Sequence, residues 1–357
     1  MTLHPLVERR SILLCCGTGG VGKTTTAAAI ALEGARRGRR SVVVTIDPAK
    51  RLADALGLGG LTNTPTRVEG AWPGELWAVM LDTKATFDEL VAKHATSSEQ
   101  VERILANPFY RNISGALSGT QEYMAMEKLY ELHEESSFEL VVVDTPPTRR
   151  ALDFLDAPGR LTRFLDHRLY KLLLGPTRGY LRAVNVAAQA FLRTVSRVVG
   201  SEVIDDAIAF FQAFEGMEQG FRARAGRVLE LLSAPGTGYV LVASPRRDTA
   251  EEAAFFAGKL RANGIPVDAL VVNRVHPTFL PGDAAATRER ADAVAGTPLA
   301  PLLANLADFQ LVAAREDEDL ARLAGEVEAG LLTRVPFLPD DVHDLDGLAV
   351  VAGHLFR

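Results

Sequence analysis

The stretch GTGGVGKTT, Gly17 to Thr25, constrains the fold of this chain more than any other part of its sequence. It satisfies G-x-x-x-x-G-K-[ST], with the apolar run SILLCC (from Ser11) leading in and the Ala-rich run TTAAAIALEGARR (from Thr25) leading out. A strand, a glycine-rich loop and a helix in that order are the phosphate-binding unit of a parallel α/β sheet. Each position has a task. Gly17, Gly19, Gly20, Val21, Gly22 and Thr25 offer backbone N–H groups at a helix N-terminus, where an anion is welcome. Lys23 reaches the terminal phosphates, and the Thr24 hydroxyl is placed to ligand Mg²⁺. The expected ligand is therefore Mg–ATP or a close relative.

The rest of the chain agrees with such a core. Apolar runs rich in Val, Ile and Leu begin at Ser11, Ser41, Glu75, Phe138, Tyr239, Asp268 and, more briefly, Thr333. They lack polar alternation, as strands covered by helices on both faces do. The expected fold is α/β, a mostly parallel sheet flanked by helices, with an inserted α-helical subdomain. Between the strands near Phe138 and Tyr239 only helical spacing recurs, first in Leu161, Phe164, Leu165 and Leu169, then in Phe211, Phe214, Met217 and Phe221. The expected division is a core in two parts, 1–155 and 237–357, around a helical insertion at 156–236.

Two carboxylates sit where ligands gather in open α/β sheets, beyond the carboxyl ends of strands. Asp47 closes the run SVVVTID, and Asp144 closes FELVVVDT. Asp144 is expected to hold Mg²⁺ through water, and Asp47 to polarise the attacking water. Either could instead cap the helix that follows it.

GTGGVGKTT, TIDPAKRL and VVVDTPPTRRALDFLDAP together resemble the ArsA-type branch of the deviant P-loop ATPases, SIMIBI-like proteins that include arsenite-pump ATPases and the eukaryotic ATPase that delivers tail-anchored membrane proteins. The wording is most similar to bacterial, actinobacterial-style members. Later segments continue the likeness: GTQEYMAMEKLYEL before the Asp144 strand, VVNRV, and RVPFLPDD. The resemblance implies a Mg-dependent ATPase that works as a dimer. It places Asn273 on the adenine and Pro336 and Phe337 beside the ring, although all three residues could equally be a turn cap and ordinary core. In the family a first loop lysine crosses to the partner's nucleotide; here that position is Thr18. Lys50, Arg51, Arg149 or Arg150 could replace it, or a lysine-bearing relative could supply it across a heterodimer. A homodimer with weakened hydrolysis is the other outcome.

Composition removes several classes. A net charge of −6 argues against a nucleic-acid surface, so no nucleic acid is expected as a partner. No apolar run approaches the roughly 20 residues of a membrane span, and the N-terminus MTLHPLVERR has no export signal, so a cytoplasmic protein is expected. Cys15 and Cys16 are adjacent on one strand, which suits neither a disulfide nor a zinc site. The one strong charge contrast lies from Arg160 to Arg197, with eight Lys and Arg against Asp166 alone. This reads as a solvated helix face or as a surface for anionic membrane or an acidic partner. A membrane protein is the cargo that the resemblance implies.

Overall fold

All seven apolar runs are strands, and among the described residues an eighth joins them at the edge. The strands are β1 (Ile12–Gly17), β2 (Arg40–Thr45), β3 (Thr66–Val68), β4 (Glu75–Met80), β5 (Leu140–Asp144), β6 (Thr237–Ala243), β7 (Ala269–Val275) and β8 (Leu331–Pro336). They form one sheet in the order β3-β4-β2-β5-β1-β6-β7-β8. Every pairing is parallel except that of β3 with β4. β3 escapes the sequence reading because three residues, of which only Val68 is buried, carry too little periodicity.

The computed structural model describes residues 2–47, 51–113, 120–136, 138–146 and 201–357, with single residues at 157, 159 and 163. The chain divides into two compact units. One contains the whole sheet and comprises Met1–Met80, Leu132–Leu152 and Ala234–Arg357. The other comprises Leu81–Glu131 and Asp153–Ser233. In chain order the described helices are α1 (His4–Arg9), α2 (Lys23–Arg36), α3 (Arg51–Ala55), α4 (Thr83–His94), α5 (Ser98–Ala106), α6 (Pro108–Ile113), α7 (Thr120–Tyr130), α8 (Ser201–Ala213), α9 (Glu218–Ser233), α10 (Arg247–Ala262), α11 (Ala284–Ala293), α12 (Leu299–Val327) and α13 (Leu345–Leu355).

In the sheet unit, β1 is buried along its whole length between β5 and β6. Its neighbour α2 is rich in alanine, the best helix former, and buries Ala27 to Leu32 without interruption. Small side chains all round let α2 lie close to the sheet on one side and to α13 on another. The C-terminal run, expected to be a packing helix, is α13. Asp344 caps it by accepting from the Gly347 N–H at 2.8 Å, and it buries Leu348, Val351, Ala352 and Leu355 in the core shared with α2.

The second unit is helical in its described part and built on aromatic side chains. Tyr110 stacks on Phe210 with centroids 5.8 Å apart, and Phe214 meets Phe221 at 4.8 Å. The Phe214, Met217 and Phe221 stripe is therefore internal core of this unit. A deeply buried ion pair joins α9 to α7: Arg224 donates from Nε to Glu127 at 2.7 Å, with the guanidinium over the Tyr130 ring at 3.8 Å. Burial raises the Glu127 carboxyl above the ordinary range, and the Tyr123 hydroxyl and Arg224 oppose that shift. The Leu161 to Leu169 stripe lies outside the described residues. So does the basic run, except Arg163, which is exposed.

Candidate nucleotide site

The sheet register aligns the site. Thr45 on β2 and Cys15 on β1 both pair with Asp144 on β5, so β2 and β5 end level with Cys15, two residues before β1 does. The chain leaves β1 for β2 on one side, and β6 lies on the other side of β1. Such a reversal opens a crevice at the carboxyl ends of the strands. Gly17 to Lys23 emerge from that edge, beside Asp144 and Asp47.

Two glycines in the loop have no substitute. Gly17 has φ 155°, and a Cβ there would lie 2.1 Å from the Val242 carbonyl oxygen of β6. Gly22 caps α2 in the left-handed region at φ 93°, and a Cβ there would lie 2.2 Å from Asn273 Nδ2. Gly22→Ala is expected to cost about 1–3 kcal/mol from the backbone conformation and to push the Asn273 amide off the loop. A lower midpoint of denaturant unfolding, together with weaker nucleotide binding, is the outcome to measure. An unchanged midpoint would refute the strain.

Lys23 is 8% exposed and donates from Nζ to the Thr18 carbonyl at 2.8 Å. Burial lowers its pKa, while the nearby Asp144 charge acts in the opposite sense. The side chain lies folded back along the loop that it is expected to serve. Thr24 donates from Oγ1 to Asp144 Oδ2 at 2.6 Å, and Thr45 donates to the same oxygen at 3.0 Å. Asp144 is 2% exposed, its pKa is raised by burial, and its other oxygen, Oδ1, is buried without a hydrogen-bond partner. A buried, unpaired carboxylate oxygen costs free energy unless something cationic meets it. That orphan oxygen beside the Thr24 hydroxyl fits a Mg²⁺ ion, which takes one or two protein oxygens and completes its shell with water and phosphate.

Asp47 is half-buried, with its N–H donating to Thr45 Oγ1 at 3.2 Å and its carboxylate 3.8 Å from Arg51. Thr45 thus links both aspartates, a role that the sequence reading missed although it stands two residues before Asp47. Of the four cations considered as substitutes for the missing lysine, Arg51 is highly exposed and faces Asp47. Lys50, Arg149 and Arg150 lie outside the described residues.

Thr18 is 6% exposed, and its Oγ1 is buried without a hydrogen-bond partner. The position of the expected travelling lysine is therefore directed inward. Cys15 and Cys16 are buried beneath the loop, and burial pushes the Cys16 thiol up to about 12. Cys15 shifts upward as well, through burial and then Asp144, so neither is a thiolate at neutral pH. Among the described residues no group of three or more His, Cys, Asp and Glu could hold a metal ion.

On the far side of β1, Asn273 on β7 donates from Nδ2 to the Val21 carbonyl at 2.9 Å. Pro336 ends β8, and the next residue, Phe337, donates its N–H to the Val275 carbonyl at 2.8 Å. The Phe337 ring is 55% exposed and lies parallel to His276, whose Nδ1 is 2.6 Å from Glu316. The structure thus brings Gly17 to Thr25, Asp47 and Asp144 together at the sheet edge, with Asn273 touching the loop. Pro336 and Phe337 are grouped with His276 at the ends of β7 and β8. The sequence reading did not single out Arg274, whose guanidinium Nη1 is 3.1 Å from the Gly20 carbonyl.

A family profile described as "Anion-transporting ATPase" matches residues 10–291. The chain is 31% identical to the ATPase GET3 of Malassezia globosa over 46% of its own length and 48% of that protein. It is 32% identical to an uncharacterized Streptomyces coelicolor protein over 76% of its length and 64% of that protein. It is 30% identical to the ATPase ARSA2 of Chlamydomonas reinhardtii over 46% of its length and 43% of that protein. The chain spans about half the length of the curated ATPases that it matches. Among the described residues no helix is long and apolar enough to cross a membrane.

Proposed function

Since the chain belongs to the anion-transporting ATPase family, we propose that it binds Mg–ATP and hydrolyses it as a dimeric switch. The observation that carries this reading is the Thr24–Asp144 hydrogen bond at the start of α2, with an orphan carboxylate oxygen beside it. Lys23 would leave the Thr18 carbonyl for the terminal phosphates, and the N–H groups of Gly17 to Thr25 would line the anion. Thr24 and Asp144 would hold Mg²⁺, the latter through water. When bound, that ion neutralises charge on the β- and γ-phosphates. Asp47, fixed through Thr45, would orient the attacking water and accept its proton. Asn273, Pro336 and Phe337 would flank the adenine.

In this reading 156–236 is the insertion that handles cargo, and a change in nucleotide state moves it. The cargo is a membrane protein or a membrane-associated one, and the basic run 160–197 is the segment that would meet an anionic surface. The dimer would form with a second copy or with a related ATPase.

The inward-facing Thr18 favours a second reading, a nucleotide-binding regulatory subunit with weak turnover that pairs with a lysine-bearing relative. Phosphate release by the pure chain, with light scattering to give its mass with and without ATP, tests both. Slow, saturable, Mg-dependent turnover in a nucleotide-stabilised dimer is expected. Failure to bind ATP at millimolar concentration would refute the proposal outright.

A further inference from the structure

The end of β7 touches the phosphate loop at two successive carbonyls. Asn273 Nδ2 meets the oxygen of Val21 at 2.9 Å, and Arg274 Nη1 meets the oxygen of Gly20 at 3.1 Å. In a trans peptide the C=O of one residue and the N–H of the next point in opposite directions. Holding the Gly20 oxygen toward β7 therefore turns the Val21 N–H away from β7. Holding the Val21 oxygen does the same for the Gly22 N–H. Those two amides belong to the set that a phosphate-binding loop offers to its anion.

The two donors form one device. Asn273 uses its other side-chain atom, Oδ1, to accept the Arg274 N–H at 2.9 Å. Arg274 has φ 62°, in the left-handed region, where a non-glycine residue is strained. A strained residue held in place by its neighbour's side chain indicates that its position is used. From this position the exposed guanidinium reaches the loop at Gly20. Gly22 has no Cβ, which leaves room for the Asn273 amide between the strand and the loop.

We propose that Asn273 and Arg274 are positioning residues that pre-orient the phosphate-binding amides of Val21 and Gly22, so that this strand end acts on the phosphates as well as on the base side. This rests on the ATP-binding reading and extends it. Pre-orientation lowers the reorganisation needed when the anion arrives, and it appears as affinity for phosphate whatever base is attached. The Arg274 charge adds to that affinity from outside the loop.

Arg274→Gly is the informative variant, because glycine accepts φ 62° and so removes the guanidinium without disturbing the backbone. Binding of ATP, of inorganic tripolyphosphate and of adenosine to the full chain is measured by calorimetry, with Lys23→Ala marking tripolyphosphate bound elsewhere. Loss of the pre-orientation and of the nearby positive charge predicts that Kd for ATP and for tripolyphosphate rises by about tenfold in each case. Adenosine affinity and thermal stability should not fall. Arg274→Lys, which keeps the charge, should recover most of the loss. An unchanged Kd for tripolyphosphate, or a loss confined to adenosine, would overturn the proposal. If the unaltered chain binds neither ATP nor tripolyphosphate, the parent reading fails and this one fails with it.

Discussion

Asp144→Asn is expected to lower Mg-dependent ATP hydrolysis by about 10² to 10³-fold, corresponding to the several kcal/mol that a metal contributes to phosphoryl transfer. The amide keeps the shape of the carboxylate, and its oxygen can still accept from Thr24 and Thr45. The substitution removes the charge and replaces the orphan Oδ1 with an NH₂ group, which repels a cation. In the absence of nucleotide the fold should therefore be little affected, its stability changing by no more than about 1 kcal/mol, because the relief of a buried charge offsets the weakening of its hydrogen bonds and of its attraction to Lys23. The two readouts together make the test specific. Titrating Mg²⁺ against ATP affinity should give a slope for the unaltered chain and almost none for the variant. A variant with unaltered Mg²⁺ dependence would remove Asp144 from the metal site.

The sequence was most informative where backbone chemistry is strictest. A loop that must present N–H groups to phosphate needs glycine where a Cβ would strike β6 or Asn273, so Gly17 and Gly22 mark their own positions. Strands covered on both faces show as unbroken apolar runs, which exposed seven of the eight. The remaining contacts depend on packing between distant segments. That Leu81–Glu131 groups with Asp153–Ser233 follows from contacts such as Glu127 with Arg224, separated by 97 positions. Nothing in the local pattern of α7 announces that pairing. Thr45 was hidden for a similar reason, because its hydroxyl matters only when β2 and β5 stand in register. Arg274 stood in plain view inside VVNRV, but its use depends on a left-handed φ that arginine does not advertise.

Thr18 is the point where chain chemistry and family chemistry part, and its orientation limits the explanations. Threonine has no charge and little reach, and here its side chain is turned inward. The Thr18 carbonyl is nevertheless used, because it receives Lys23. A substitution can thus change the side chain while leaving that contact in place. A lysine at 18 is too long and too strongly hydrated for a site that is 6% exposed, so its ammonium would extend to solvent. From there it could reach a nucleotide held by a facing copy. Cations supplied in trans accelerate phosphoryl transfer by about 10³ to 10⁵ in GTPases. Thr18→Lys is accordingly expected to raise turnover by about 10³-fold, with a rate that grows with protein concentration as dimers form, while ATP affinity stays within a few-fold. The unaltered chain mixed with a lysine-bearing relative should approach the same rate if a partner normally supplies the charge. A Thr18→Lys protein that turns over no faster at any concentration would refute the loss of a lysine at 18 as the cause of slow turnover.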